Sequence, residues 1–130
     1  MANQSDKNDQ EMWDAYNKFH FLCDTHRFQK FVARVEMMRM VSDLPGDIVD
    51  AGAFKGVSTI QFAQLLKTYQ PNSRSKVISF DSFEATVPKL RVDEEKLATS
   101  LMDDFEESAF DQLTSSVERL GLDQRVTIVR

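Results

Sequence analysis

The sequence predicts an α/β fold in which parallel strands are joined by helical crossovers and preceded by two helices. Short apolar runs at 48–51, 77–80 and 126–129 have the length and composition of buried strands. Segments with helical periodicity separate these runs, and strands that alternate with helices form parallel sheets with right-handed crossovers. In addition, Asp50 directly follows the apolar pair at 48–49, and Asp81 directly follows the run at 77–80.

The composition limits the chain to one domain and excludes several classes of protein. With 130 residues, 42% of them hydrophobic, the chain can bury one modest core. A net charge of −5 argues against a nucleic-acid partner, because such binders are usually basic. No apolar run is long enough to cross a membrane, and residues 1–10 lack the apolar core of a secretory signal. The single cysteine, Cys23, cannot form an internal disulfide, so we expect a cytoplasmic protein.

The N-terminal part predicts a disordered segment at 1–10 and then two helices. Residues 1–10 are polar, and helical periodicity begins only at Glu11 and continues to Cys23. A second helix carries apolar residues at steps of three and four: Phe28, Phe31, Val32, Val35 and Met38. The sequence Leu44-Pro45-Gly46 ends this helix.

The rest of the chain supplies the alternating elements. The first strand runs through 48–51, a helix through 57–69, the second strand through 77–80 and the third through 126–129. Residues 82–93 predict an irregular connection that contains Pro88. Residues 94–120 predict a helix in two pieces that meet near Ser108, with Gly121 just after its end.

The turn after the first strand has the composition of a site for a nucleotide-type cofactor. Gly52 and Gly56 allow close approach to the backbone and tolerate positive φ, and the next helix begins with free N–H groups. Ser58 is placed either to cap that helix or to contact a ligand. Asp81 is placed to accept hydrogen bonds from two ribose hydroxyls, and Asp50 from an ammonium group or water.

Two common phosphate-binding motifs do not match this turn. The dinucleotide motif needs a second glycine where this chain has Phe54, and no Gly-Lys-Ser/Thr follows as in a P-loop. A carboxylate at Asp50 would repel a pyrophosphate and suits a cationic ligand better. S-adenosylmethionine has a ribose, an amino-acid end and a sulfonium charge, so its chemistry matches these side chains.

The motifs resemble those of class I S-adenosylmethionine-dependent methyltransferases, and more closely the macrocin O-methyltransferase-like family. The similar segments are 44–52, 55–58, 79–84 and 120–126. The resemblance implies the N-terminal half of a Rossmann-like methyltransferase fold, with residues 11–130 as a partial S-adenosylmethionine-binding domain. It implies an O-methyltransferase whose partner is a small-molecule substrate, such as the hydroxyl of a sugar or natural product.

The resemblance also assigns the candidate site residues. Asp50, Gly52 and Gly56 would line the methionine and ribose part of the cofactor, Asp81 would bind the ribose hydroxyls, and Ser82 would lie near the adenine. The full predicted set is Asp50, Ala51, Gly52, Ala53, Gly56, Ser58, Asp81 and Ser82. Two positions depart from the family pattern, since Asp50 replaces the more frequent glutamate and Ala85 replaces a glycine.

In the family, the catalytic base and the acidic ligands of a divalent metal such as Mg²⁺ follow a fourth strand. We therefore predict no catalytic and no metal-binding residue in this chain, and we expect that it does not transfer methyl groups unaided. The first strand would have an unpaired edge, which a separate C-terminal half or another copy would cover. The acidic residues at 93–107 predict a solvated helix face, and 84–104 is long enough to form a lid over the cofactor.

Two other functions remain open. One is a non-catalytic binding or assembly module that keeps the fold. The other is a nicotinamide-dependent oxidoreductase, which the incomplete glycine motif and the carboxylate of Asp50 disfavour.

Overall fold

The computed structural model describes residues 3–83 and 108–130. The helices and strands, in chain order, are α1 (Gln4–Leu22), α2 (Thr25–Val41), β1 (Ile48–Ala51), α3 (Val57–Tyr69), β2 (Val77–Phe80), α4 (Ala109–Arg119) and β3 (Val126–Val129). This order confirms the predicted α/β fold. Four predictions lie outside the described residues: the connection with Pro88, the first piece of the long helix, the lid and the acidic face at 93–107.

The chain divides into two compact units, Met1–Ala33 and Arg34–Arg130. In the first unit, α1 begins at Gln4, so residues 4–10 are helical where the sequence predicted disorder. A capping box explains the early start, because the Asn3 N–H donates to Asp6 Oδ2 over 3.1 Å. The prediction was wrong here because it relied on apolar periodicity, which a polar helical turn does not show.

The start of α2 also depends on a carboxylate. The Arg27 backbone N–H donates to Asp24 Oδ1 over 2.7 Å, and the Arg27 guanidinium pairs with the other carboxylate oxygen. The hydrogen bond from this N–H holds the pKa of Asp24 below its ordinary value. Aromatic rings join α1 and α2 within this unit, with Phe19 5.7 Å from Phe31 between ring centroids.

The second unit is built on a parallel sheet of strand order β1-β2-β3. Ile48, Val77 and Val126 are in register, as are Asp50, Ser79 and Ile128 further along the strands. Within the described part of the chain β1 is therefore an edge strand, as the sequence predicted. This register places Asp50 directly beside Ser79, which becomes important at the candidate site.

One face of the sheet forms the core of this unit. The buried residues come from α2, α3, α4, the strands and the turn before β3: Met38, Ala63, Leu66, Val77, Leu113, Val117, Leu122 and Val126. Burying a valine, leucine or methionine side chain contributes about 1.5–3 kcal/mol. Alternate strand residues point to the opposite face. There Val49 is 63% exposed and Phe80 41% exposed.

A buried arginine connects the end of α3 to β3. Arg125 is only 8% exposed, and its guanidinium donates to the carbonyls of Gln70 at 2.9 Å, Pro71 at 3.0 Å and Ser75 at 3.2 Å. The last carbonyls of a helix lack partners within the helix, and a cation near them is favourable. Arg125 thus satisfies the backbone at and after the end of α3.

The variant Arg125→Met is expected to lower the free energy of unfolding by about 2–4 kcal/mol. It keeps most of the aliphatic stem but leaves three backbone carbonyls without their charged donor. Equilibrium unfolding in urea, monitored by circular dichroism, measures the loss. The exposed Arg74, in the same connection between α3 and β2, provides a matched control, and Arg74→Met should change stability by less than about 0.5 kcal/mol. Equal effects of the two substitutions would contradict the role assigned to Arg125.

Candidate functional site

The predicted site residues lie at the carboxyl ends of β1 and β2. Asp50 and Ala51 are the last residues of β1, Gly52–Gly56 form the turn to α3, and Asp81 follows β2 directly. In sheets of parallel strands, ligands bind in the crevice outside this edge. The structure therefore brings the predicted residues together on one loop pair.

The Asp50 carboxylate is held by hydroxyl groups from the first turn of α3. Its Oδ2 atom accepts a hydrogen bond from Ser58 Oγ at 2.8 Å and another from Thr59 Oγ1 at 2.6 Å. The Thr59 hydroxyl is also hydrogen-bonded to the Ser79 hydroxyl in β2 at 3.0 Å. The N-cap of α3 is Gly56, so Ser58 binds the carboxylate rather than capping the helix.

The two glycines of the turn have different surroundings. Both have positive φ, +77° at Gly52 and +84° at Gly56, which favours glycine at each position. At Gly52 no atom of the described residues lies within 4 Å of where a Cβ would be, so the backbone is open to a ligand. At Gly56 a Cβ would overlap Leu113 Cδ1 and lie 3.0 Å from Leu113 Cγ. Gly56 is thus required for packing against α4.

Asp81 connects two turns through its carboxylate. The Phe54 N–H donates to Oδ2 and the Phe83 N–H donates to Oδ1, each at 2.8 Å. Both phenylalanines have left-handed backbones, with φ of +52° and +56°. This conformation costs about 1–2 kcal/mol per non-glycine residue, and charge-assisted hydrogen bonds offset such a cost. Because a carboxylate has about four acceptor positions, each oxygen can accept a further donor.

The remaining predicted residues differ in accessibility. Ala51 and Ser82 are exposed at the edge of the site. Ala53 is buried, and its carbonyl accepts the Gly56 N–H at 2.9 Å, which closes the turn. The Gly52 N–H donates to the Phe80 carbonyl at 2.8 Å and holds the turn against β2.

Sequence reasoning missed Thr59 and Ser79, which lie fully buried beneath Asp50. One signal was present, because a serine inside an otherwise apolar strand needs a hydrogen-bond partner when it is buried. Sequence reasoning also missed the role of the Phe54 backbone, which depends on the contact between the turn and Asp81.

Two further observations concern the described residues 3–83 and 108–130 alone. They contain no group of three or more His, Cys, Asp or Glu side chains that could hold a metal ion. None of their helices combines the length and the apolar character needed to cross a membrane.

Comparisons with known proteins support the fold and the family. The crystal structure of CalS11, a calicheamicin methyltransferase, resembles this chain with a TM-score of 0.57 and 16% sequence identity. The similarity covers 100% of this chain and 59% of that protein, so this chain has the fold of the N-terminal part of a methyltransferase. A search of curated proteins found no match.

The family comparison covers nearly the whole sequence. The profile of the macrocin O-methyltransferase (TylF) family matches residues 2–130. This match confirms the resemblance that the motifs around Asp50 and Asp81 indicated. The chain therefore belongs to the macrocin O-methyltransferase family.

Proposed function

We propose that this chain binds S-adenosylmethionine and forms the cofactor-binding part of an O-methyltransferase that acts on a hydroxyl group of a small molecule. Membership of the macrocin O-methyltransferase family supports the reaction class. The similarity to a calicheamicin methyltransferase supports a natural product as the acceptor. The observation that carries the cofactor assignment is the placement of Asp50 and Asp81 on adjacent parallel strands around the open backbone of Gly52.

The chemistry of the site residues fits this cofactor. The Asp81 carboxylate has acceptor positions left for two ribose hydroxyls. The Asp50 carboxylate suits the positively charged amino-acid end, and Gly52 lets the ligand approach the backbone. Ser82 is exposed beside Asp81, and the family resemblance places it near the adenine. When bound, S-adenosylmethionine supplies an electrophilic methyl group, and this chain contributes binding and orientation.

The acceptor substrate and the base that deprotonates it are not assigned to any described residue. A divalent metal such as Mg²⁺ is implied by the family resemblance alone, and we assign it no step. We also propose that the chain associates with another copy of itself or with a C-terminal half of the same fold.

A nicotinamide cofactor fits the site less well. Its pyrophosphate would approach the turn that carries the Asp50 carboxylate, and Phe54 occupies the position of the second glycine in the dinucleotide motif. The Phe54 N–H already donates to Asp81, so it is not available to a phosphate.

Titration of the purified chain with S-adenosylhomocysteine by calorimetry tests the proposal. We expect saturable binding at one site and no binding of NAD⁺. Saturation at 100 times Kd should raise the free energy of unfolding by about 2.7 kcal/mol, which thermal melting would detect. The variant Asp43→Ala, which removes an exposed carboxylate before β1, should bind as the parent does.

The other outcomes would each contradict the proposal. Binding of NAD⁺ in preference to S-adenosylhomocysteine would support an oxidoreductase. A stable oligomer that binds neither ligand would support a non-catalytic assembly module.

A further inference from the structure

The hydroxyl groups of Thr59 and Ser79 form a short buried chain of hydrogen bonds that ends on the Asp50 carboxylate. Thr59 and Ser79 are both 0% exposed, and each belongs to a different element, α3 and β2. Their hydroxyls are 3.0 Å apart, and the Thr59 hydroxyl is 2.6 Å from Asp50 Oδ2. Burial keeps water from competing for these hydrogen bonds, so they are stronger than bonds at the surface.

Counting protons gives the chain a direction. An ionised carboxylate only accepts hydrogen bonds, and a threonine hydroxyl has one proton to donate. Thr59 therefore donates to Asp50 and accepts from Ser79. Ser79 orients the Thr59 hydroxyl, and Thr59 in turn orients the carboxylate.

The hydrogen bonds that the described residues make to the Asp50 carboxylate reach one of its two oxygens. Ser58 and Thr59 both donate to Oδ2, and none of the described residues donates to Oδ1. Two donors on one oxygen restrict rotation of the carboxylate. Oδ1 is consequently left as the acceptor for a ligand.

We propose that Thr59 and Ser79 are positioning residues that hold the Asp50 carboxylate so that Oδ1 receives a cationic amino group of the ligand. The inference rests on the proposed function, because it assigns the amino-acid end of the cofactor to Asp50. The new element is that two buried residues raise the affinity for the ligand without touching it. The effect of Thr59 and Ser79 on affinity depends on the ligand, because a ligand without an amino group does not bind the Asp50 carboxylate.

Two ligands separate this role from a general loss of structure. S-adenosylhomocysteine carries the amino-acid end, whereas 5′-methylthioadenosine has the same nucleoside without it. Thr59→Val should weaken S-adenosylhomocysteine roughly tenfold, which corresponds to about 1.4 kcal/mol. Its affinity for 5′-methylthioadenosine should stay within about twofold of the parent value.

Further variants control for folding and for the chemistry of the substitution. Thr59→Ser keeps the hydroxyl and should retain parental binding of both ligands. Thr68→Val makes the same change at an exposed position of α3 and should alter neither affinity. Thr59→Val leaves the Ser79 hydroxyl without its partner, so the double variant Thr59→Val/Ser79→Ala removes the buried polar pair completely. Thermal melting shows that each variant is folded.

The outcomes distinguish this inference from the proposed function. If the parent binds S-adenosylhomocysteine and folded Thr59→Val binds it equally well, the positioning role is wrong while the proposed function stands. An equal loss of affinity for both ligands would also overturn the positioning role. If the parent chain binds neither ligand, the proposed function fails and the inference fails with it.

Discussion

Replacing Gly56 with alanine is expected to lower the free energy of unfolding by about 3 kcal/mol. A left-handed residue with a Cβ costs about 1–2 kcal/mol, and overpacking of a core costs about 1–3 kcal/mol more. The added methyl would overlap Leu113 Cδ1, and Leu113 is fully buried, so the two side chains would compete for the same space in the core. Equilibrium unfolding in urea measures the change.

The matched variant Gly52→Ala separates the two costs. Gly52 has a similar φ, but no described atom lies near the position of its Cβ. Gly52→Ala should therefore lose only about 1–2 kcal/mol of stability. Its affinity for S-adenosylhomocysteine should fall, because the methyl group faces the proposed ligand. Equal destabilisation by the two alanines would contradict the packing role of Gly56.

A second substitution tests the contact between the added methyl at residue 56 and Leu113. Combining Gly56→Ala with Leu113→Ala should destabilise the chain by less than the sum of the single effects, since the smaller side chain relieves the overlap. Additive effects would show that the strain comes from the backbone alone.

Asp81→Asn is expected to weaken the binding of S-adenosylhomocysteine by roughly 100-fold. Two hydrogen bonds from ribose hydroxyls to a charged acceptor contribute about 1.5 kcal/mol each, or about 3 kcal/mol together. The same variant should lose about 1–2 kcal/mol of stability, because the amide accepts one backbone N–H and opposes the other with its own NH₂ group. Calorimetric titration and urea unfolding give the two values independently.

The chain contains a matched control for this variant. Asp47 Oδ1 accepts the Lys76 N–H at 2.9 Å, near the opposite ends of the same strands. Asp47→Asn should reduce stability slightly and leave ligand affinity unchanged. If Asp81→Asn binds as tightly as Asp47→Asn, then Asp81 is a structural residue and the ribose assignment is wrong.

The elements of the sheet were predictable because their signals are local. The apolar runs at 77–80 and 126–129 and the helix at 57–69 have the same bounds in the structure as in the sequence prediction. Proline, glycine and polar clusters mark their ends. The start of α1 was not predictable in this way, since its first turns lack apolar residues and depend on the capping box of Asn3 and Asp6.

The residues of the candidate site were also visible in the sequence, but their connections were not. The contact of Thr59 with Ser79 and Asp50 requires the register of β1 against β2, and periodicity does not supply a register. Similarly, the sequence does not distinguish the roles of Gly52 and Gly56. The position of Leu113 in the structure shows that Gly56 is needed for packing.

The guanidinium of Arg125 has a consequence for how the chain folds. Its hydrogen bond to the Gln70 carbonyl joins residues 55 positions apart, so the end of α3 is completed by a residue synthesised much later. A contact of this separation requires closure of a long loop, which is slow compared with helix formation. Until the N-terminal end of β3 joins the sheet, the last turn of α3 has unsatisfied carbonyls and should fray. The helix that presents Ser58 and Thr59 to Asp50 therefore reaches its final stability only when the third strand is in place.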